Sequence, residues 1–341
     1  MNSNNNGKKK LPRIYVIGTG GSISCIGESR TDFINYGHGD RHYSIGEMLS
    51  RVPEVNEIAE VRAEQFLNVY GGEVSPDKWL DLARRINAIF HDDPDAAGVA
   101  ITHGTSALEE TAYFLNLTVK SEKPVVITGA MRPMTALSND AELNLLDCIR
   151  VASNPAAAGR GVLVVLNNQI QAAREVAKTS TSRLDTFKSG DLGFLGYADS
   201  DGEVVFYRNP VKPHTSATEF DTQNLDHLPR VDIAMAYTGV DGTPVKAFVE
   251  AGCRGLVAAG MGSGGAPAIF LDALADAVKS GVPVVVASQA GNGRTMARRT
   301  LTERGLIVAD NLLPRKARIL LMLALYRTAK GEELKKIMTT Y

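Results

Sequence analysis

The sequence predicts an α/β protein of two units, the first built on a parallel, doubly wound sheet. Three observations lead there. Short apolar runs alternate with amphipathic stretches along most of the chain, which is the pattern of strands joined by crossover helices. Several of those runs end in glycine and hydroxyl residues, as strands of an open α/β sheet do at the edge where ligands bind. The length, 341 residues, exceeds what one hydrophobic core ordinarily organises.

The rest of the chain is arranged around its first strand. Residues 14–17 read as a buried strand that runs into Gly18-Thr19-Gly20-Gly21 and then a hydroxyl, Ser22. The glycines let the backbone turn sharply. A side chain placed directly after such a turn can enter the crevice beyond the strand ends. Taken alone, the stretch reads equally as a phosphate-cradling turn and as a nucleophile loop, with a purely structural turn close behind. The dinucleotide pattern lacks its third glycine, because Ile23 holds that place, and no P-loop lysine follows Ser22.

A loop over 25–44, rich in Gly, Asp and His, has the length of a functional lid. Ser44 and Glu47 form a capping box that opens a short helix ending before Pro53. Ser75-Pro76 supplies an N-cap and a first-turn proline for a second helix, with Trp79, Leu82, Ala83, Ile86 and Phe90 on its core face. Three strand-and-turn units follow. Strand 98–103 ends in Gly104-Thr105-Ser106 and leads to helix 107–117. Strand 124–128 ends in GAMRP (129–133) and leads to helix 140–152. Strand 161–167 leads on to Lys178. In a parallel sheet all these turns emerge on the edge that carries Ser22.

From 190 to 228 the pattern loosens, with one strand or hairpin at 203–208. A second unit follows, with strands at 231–237, 255–259 and 282–288 and helices at 245–251, 268–280, 315–327 and 332–339. The expected division is an N-terminal domain over 11–205, a linker over 206–230 and a C-terminal domain over 231–341.

Composition narrows the function. With 37 basic and 38 acidic residues the net charge is −1, which offers no field to draw nucleic acid or an anionic membrane. Cys25, Cys148 and Cys253 are far apart and form no CxxC, which predicts a reducing, cytoplasmic setting. The polar, then basic start shows no apolar signal region, and residues 1–10 read as a disordered tail. Of six histidines only His38 and His42 lie near each other, without a cysteine partner. No metal site and no cofactor are predicted.

Metal-free amide hydrolysis needs a nucleophilic hydroxyl, a group to take its proton and donors for the oxyanion. Ser22 supplies the first. Thr105 is a second hydroxyl at a neighbouring strand end, Lys178 can act on its neighbours if partly desolvated, and glycine-rich turns offer backbone N–H donors. Singly, such a threonine reads as a cap and such a lysine as a solvated charge. Their convergence on one edge is the stronger signal.

The motifs TGGSI (19–23), ITHGT followed by LEETAYFL (101–115) and GAMRP (129–133), supported by RGVLVVLNN (160–168) and AKTSTS (177–182), resemble those of the bacterial and archaeal L-asparaginase/glutaminase family. The resemblance runs from about residue 14 to the C-terminus. It implies a larger N-terminal and a smaller C-terminal domain, a small-molecule amide substrate and a homotetramer of tight dimers with each site at a subunit boundary. The family's nucleophilic threonine falls on Ser22, its activating tyrosine on Tyr36, its second threonine on Thr105, its lysine on Lys178 and its substrate-lining alanine on Ala130.

Three departures bear on recognition. Ser106 stands where the family has the aspartate that pairs with the substrate ammonium. Gly71, followed by Gly72, stands where the family has a Ser-Gln/Glu pair for the substrate carboxylate. Gly239 stands roughly where a polar residue reaches over from a neighbouring subunit. The expected function is hydrolysis of a carboxamide to carboxylate and ammonia through a Ser22 acyl-enzyme, with specificity shifted away from L-Asn and L-Gln. One alternative is ordinary asparaginase activity, with Glu73, Asp32 or Asp40 replacing the missing carboxylate. Another is a catalytically silent ligand-binding protein. An amidotransferase subunit acting on charged tRNA ranks last, since the near-neutral charge does not favour tRNA.

Overall fold

A computed structural model describes residues 10–37, 41–70 and 72–341. Strand β1 (Arg13–Gly20) is followed by the short helices α1 (Ile45–Ser50) and α2 (Val55–Ile58) and by β2 (Glu60–Val69). Next come α3 (Pro76–Asp92), β3 (Ala96–Thr102), α4 (Leu108–Thr118), β4 (Val125–Thr128), α5 (Ala141–Ala152) and β5 (Val162–Leu166). The helix starts are those expected. Ser44 and Glu47 form a reciprocal capping box at α1, and the Ser75 side chain accepts from the Lys78 N–H ahead of Pro76.

After β5 the chain reverses on Asn167 and Asn168, with φ of 52° and 61°, into antiparallel β6 (Gln169–Ala172). Asparagine is among the few non-glycine residues that tolerate such a left-handed pair. A two-stranded ribbon of β7 (Ala177–Lys178) and β8 (Phe187–Lys188) follows, then the hairpin β9 (Gly196–Ala198) and β10 (Val204–Phe206). The large sheet has the order β10-β9-β6-β5-β4-β3-β1-β2. From β2 to β5 all neighbours are parallel, so β1, β3, β4 and β5 end on one edge.

Both faces of this sheet are covered, which is why its central strands read as unbroken apolar runs. Side chains alternate by face. Ile17, Val99, Ile101, Val125 and Ile127 pack with Trp79, Leu82 and Ile86 of α3 and Phe114 of α4. Val16, Ala100, Val126 and Leu163 pack on the opposite face with Leu145, Cys148 and Ile149 of α5.

A four-stranded parallel sheet, β11-β12-β13-β14, forms the second unit. It comprises β11 (Val231–Met235), α6 (Thr243–Glu250), β12 (Gly255–Gly260), α7 (Ala268–Lys279), β13 (Val284–Ser288), α8 (Arg299–Thr302), β14 (Ile307–Val308), α9 (Pro314–Arg327) and α10 (Gly331–Thr340). Helix α9 packs on this sheet and on α4, so Leu320 and Leu321 share one core with Phe114 and Leu117. On the same helix Lys316 is fully buried. Its amine donates to the carbonyls of Ala173 (2.8 Å), Arg174 (2.9 Å) and Val176, fastening the second unit to the segment that leads into Lys178. The segment expected as a linker, 206–230, is tied to the first unit at several points. Lys120 Nζ donates to the Thr218 carbonyl at 2.8 Å, and Phe220 and Leu225 are buried.

Two features differ from the sequence reading. The edge strand β2 carries no apolar run, and its residues are mostly exposed or half-buried. Lys178 does not follow directly from a strand of the large sheet. It comes from the separate ribbon, after the chain has turned back through β6.

Candidate active site

The turn after β1 is fixed by contact with its neighbours. A Cβ on Gly20 (φ 94°) would lie 2.3 Å from the Val69 carbonyl oxygen, and one on Gly21 (φ 89°) would lie 2.2 Å from Gly104 Cα. Only glycine meets both the left-handed backbone and the close approach. The loops after β1 and β3 therefore touch backbone to backbone. Thr19 strengthens the join, its hydroxyl donating to the Thr102 carbonyl at 2.8 Å. Ser22 emerges from this junction at the head of a short 3₁₀ turn and is half-buried. Among the described residues its hydroxyl makes no hydrogen bond.

Thr105, next to Gly104, is buried, and its hydroxyl accepts from Lys178 Nζ at 2.9 Å. The Lys178 backbone N–H donates to Glu109 Oε2 at 2.6 Å, so the first turn of α4 sets the height of the ribbon that delivers the lysine. Burial pushes the Lys178 ammonium below its ordinary value, with Glu109 opposing and Arg315 assisting. A cation that is easier to deprotonate is better suited to exchange a proton with the hydroxyl it touches.

Behind Thr105 a buried chain holds the loop. Trp79 Nε1 donates to Thr111 Oγ1 at 2.9 Å, Thr111 lies 3.0 Å from His103 Nε2, and His103 Nδ1 lies 2.9 Å from the Gly104 carbonyl. With Thr111 accepting from tryptophan and donating to Nε2, the imidazole is neutral and carries its proton on Nδ1. Burial pushes His103 down to about 4 from 6.5. Because the folded value is depressed, the unfolded chain binds the extra proton, and the group's contribution to stability is full above 6.5 and falls as pH drops toward 4. The loss expected over that window is on the order of 3 kcal/mol. Urea midpoints at pH 7, 5.5 and 4.5 should fall more steeply for the native protein than for His103→Gln. Parallel pH profiles would refute this account.

The turn after β4 completes the edge. A Cβ on Gly129 would lie 2.6 Å from the His103 carbonyl oxygen and 3.0 Å from Thr105 Cγ2. Asp140 accepts from the N–H groups of Met131 (2.9 Å) and Arg132 (3.0 Å), and Asn144 Nδ2 donates to the Gly129 carbonyl at 2.9 Å. Ala130, which follows Gly129, is fully buried. Ser106 is exposed at the start of α4 and Gly72 is exposed. Gly71 and Asp40 lie outside the described residues.

Tyr36 is half-buried and, among the described residues, makes no hydrogen bond to Ser22. Asp32 accepts backbone N–H groups of its own loop, from Asn35 at 2.8 Å and Ile34 at 3.1 Å. Glu73 is exposed. The sequence reading assigned no role to His103, Glu109 or Asp140, although Glu109 lies within the LEETAYFL motif.

The glycine turn leads into a three-residue 3₁₀ turn, Ser22–Ser24, not into the long helix whose N-terminus would hold a phosphate. A parallel sheet whose edge offers hydroxyls and a desolvated amine instead is the build of a hydrolase acting on amide bonds. The asparaginase N-terminal family model matches residues 13–212 and the glutaminase/asparaginase C-terminal domain model residues 230–338. The chain belongs to the asparaginase/glutaminase family. It is 42% identical to L-asparaginase 2 of Bacillus subtilis over 335 residues, covering 98% of this chain and 88% of that one. It is 38% identical to the glutaminase-asparaginase of Pseudomonas fluorescens, covering 98% and 92%. Among solved structures it superposes on a probable cytoplasmic L-asparaginase from Campylobacter jejuni with a TM-score of 0.93 at 39% identity, covering 98% and 100%.

Proposed function

We propose that this chain hydrolyses a carboxamide to carboxylate and ammonia through a Ser22 acyl-enzyme, and that its preferred substrate is not free L-Asn or L-Gln. The observation that carries the reading is the 2.9 Å contact of Lys178 with Thr105, next to the glycine junction from which Ser22 emerges. In the first step Ser22 Oγ bonds to the amide carbon, the C–N bond breaks, and the serine proton leaves with ammonia. In the second step water attacks the acyl carbon and the ester oxygen returns to Ser22 with a proton. Lys178 as a neutral amine takes the Thr105 hydroxyl proton while Thr105 takes one from the attacking group. Tyr36 assists deprotonation of Ser22, the role the family resemblance gives it. Backbone N–H groups of the glycine turns and the small Ala130 leave room for the carbonyl oxygen and supply its donors.

The shift in specificity rests on Ser106, Gly71 and Gly72. An amino-acid ammonium bound without a carboxylate partner is a poorly compensated charge, and the expected cost is several kcal/mol. Ordinary L-asparaginase activity is the second reading, favoured by the 42% identity to L-asparaginase 2 of Bacillus subtilis. Assembly as a homotetramer in a reducing, cytoplasmic setting belongs to the proposal. Support comes from three unpaired buried cysteines and exposed Met235, Tyr237, Ile269 and Met296 on the second unit.

Ammonia release from L-Asn, L-Gln, D-Asn and succinamate, measured on purified chain whose mass is read by light scattering, tests the proposal. Succinamate is expected to be turned over with kcat/KM at least about tenfold above that of L-Asn, since a missing charge partner costs at least that much. Efficient L-Asn turnover would leave the second reading standing. Silence on all four would refute the second reading and confine the proposal to a narrower amide, which covalent trapping at Ser22 by an amide-mimicking electrophile then tests against a binding role.

A further inference from the structure

A cleft of about 450 Å³ opens beside the catalytic loop, lined by Gly72, Ser106, Glu110, Asp232, Arg315 and Arg318 among others. Ser106 is the residue after Thr105, so the cleft begins one peptide away from the hydroxyl held by Lys178. The far wall comes from α9 and β11 of the second unit. A volume of this size accommodates a small molecule rather than a single carboxylate.

The charges that line it are unequally committed. Asp232 is bound by Arg230 Nε at 2.7 Å, and Arg318 Nε donates to the Val231 carbonyl at 2.8 Å. Glu109 beside the cleft accepts the Lys178 backbone N–H. Burial works against ionisation of Glu110, whose nearest cations stand at 3.9 Å. Arg315 is the loosely held group. Its side chain is 53% exposed, and its closest polar contacts are the Ser106 carbonyl at 3.5 Å and Glu109 at 3.6 Å. A guanidinium with donors to spare, at the position where the chain offers Ser106 in place of a carboxylate, repels an ammonium and receives an anion.

We propose that this cleft is a subsite for a carboxylate carried beyond the reacting amide on an acylated amino group, with Arg315 as its specificity-determining residue. The substrate class is an N-acylated asparagine whose acyl arm ends in a carboxylate. The inference rests on the amide-hydrolase reading of Ser22, Thr105 and Lys178.

The test compares L-asparagine, N-acetyl-L-asparagine and N-succinyl-L-asparagine by ammonia release. The native protein is expected to prefer the succinyl over the acetyl compound by about tenfold or more in kcat/KM, the discrimination of one charge-assisted contact. Arg315→Gln should remove that preference, lowering the succinyl compound relative to the acetyl compound through KM, and Arg315→Lys should restore part of it. Ser106→Asp should act in the opposite sense, weakening the succinyl compound and improving L-asparagine. Equal use of both acyl compounds, or a preference that survives Arg315→Gln, overturns the proposal. Binding of N-succinyl-L-aspartate by calorimetry separates the two readings. If no amide releases ammonia, the hydrolase reading fails, while tighter binding to the native protein than to Arg315→Gln still upholds the subsite and equal or absent binding overturns it.

Discussion

Replacing Ser22 by alanine is expected to lower ammonia release by about 10⁴-fold while leaving the fold untouched. The two halves of that expectation come from different facts. Ser22 sits at the glycine junction where the loops after β1 and β3 meet, and it is the half-buried hydroxyl there that makes no hydrogen bond among the described residues. Removing its oxygen therefore leaves no donor or acceptor unpaired, and the stability change should stay within about 0.5 kcal/mol. A nucleophile, by contrast, has no substitute, since losing it removes the covalent route altogether. Ser22→Thr should retain activity, because a secondary alcohol can still attack the carbonyl. An amide-mimicking electrophile should add its mass to the peptide containing Ser22 in the native protein and not in Ser22→Ala. If Ser22→Ala keeps more than about a tenth of the native rate, the acyl-enzyme route through Ser22 is wrong.

The parts of this protein that could be read from its sequence are those whose signal is local. The central strands announce themselves because both faces of the sheet are covered, so Val99, Ala100 and Ile101 are all apolar and all buried. The helices α1 and α3 are marked by caps whose partners lie within three residues. β2 escaped because it is an edge strand held partly by charge. Glu60 pairs with Arg13 and Arg62, and Glu64 with Arg85. A run of alternating charges reads as surface, not as strand. β6, β7 and β8 are four, two and two residues long, too short to show a period.

The site follows the same rule. Ser22, Thr105 and Lys178 stand out because each lies in a compact motif. Glu109 and His103 lie in those motifs too, but their roles depend on contacts that spacing does not reveal. Glu109 meets Lys178 across 69 positions and Arg315 meets Ser106 across 209. Tyr36 is the opposite case, a residue placed by the resemblance for which no hydrogen bond to Ser22 is found among the described residues. Motifs identify which residues carry chemistry. Which of them share a proton is decided by the fold.

Lys178→Met is the second large effect, a loss of about 10³-fold in kcat, within the range that positioned proton transfer supplies. The lysine contacts Thr105 through its amine and Glu109 through its backbone, so the methionine variant keeps the ribbon in place and loses only the proton-handling group. Lys178→Arg decides between two roles. If the positive charge alone were needed, arginine would rescue. If the amine must shed its proton, arginine cannot, because a guanidinium stays charged. The arginine variant is therefore expected to be as impaired as the methionine one. The pH profile carries the same sign. Desolvation holds the Lys178 ammonium below the ordinary lysine value, so activity should rise with pH as the neutral amine forms, with a midpoint below that of a free lysine. That rise should vanish in Lys178→Met. A rescue by arginine, or a rise unchanged in the methionine variant, would assign Lys178 to charge stabilisation and return proton transfer to Tyr36.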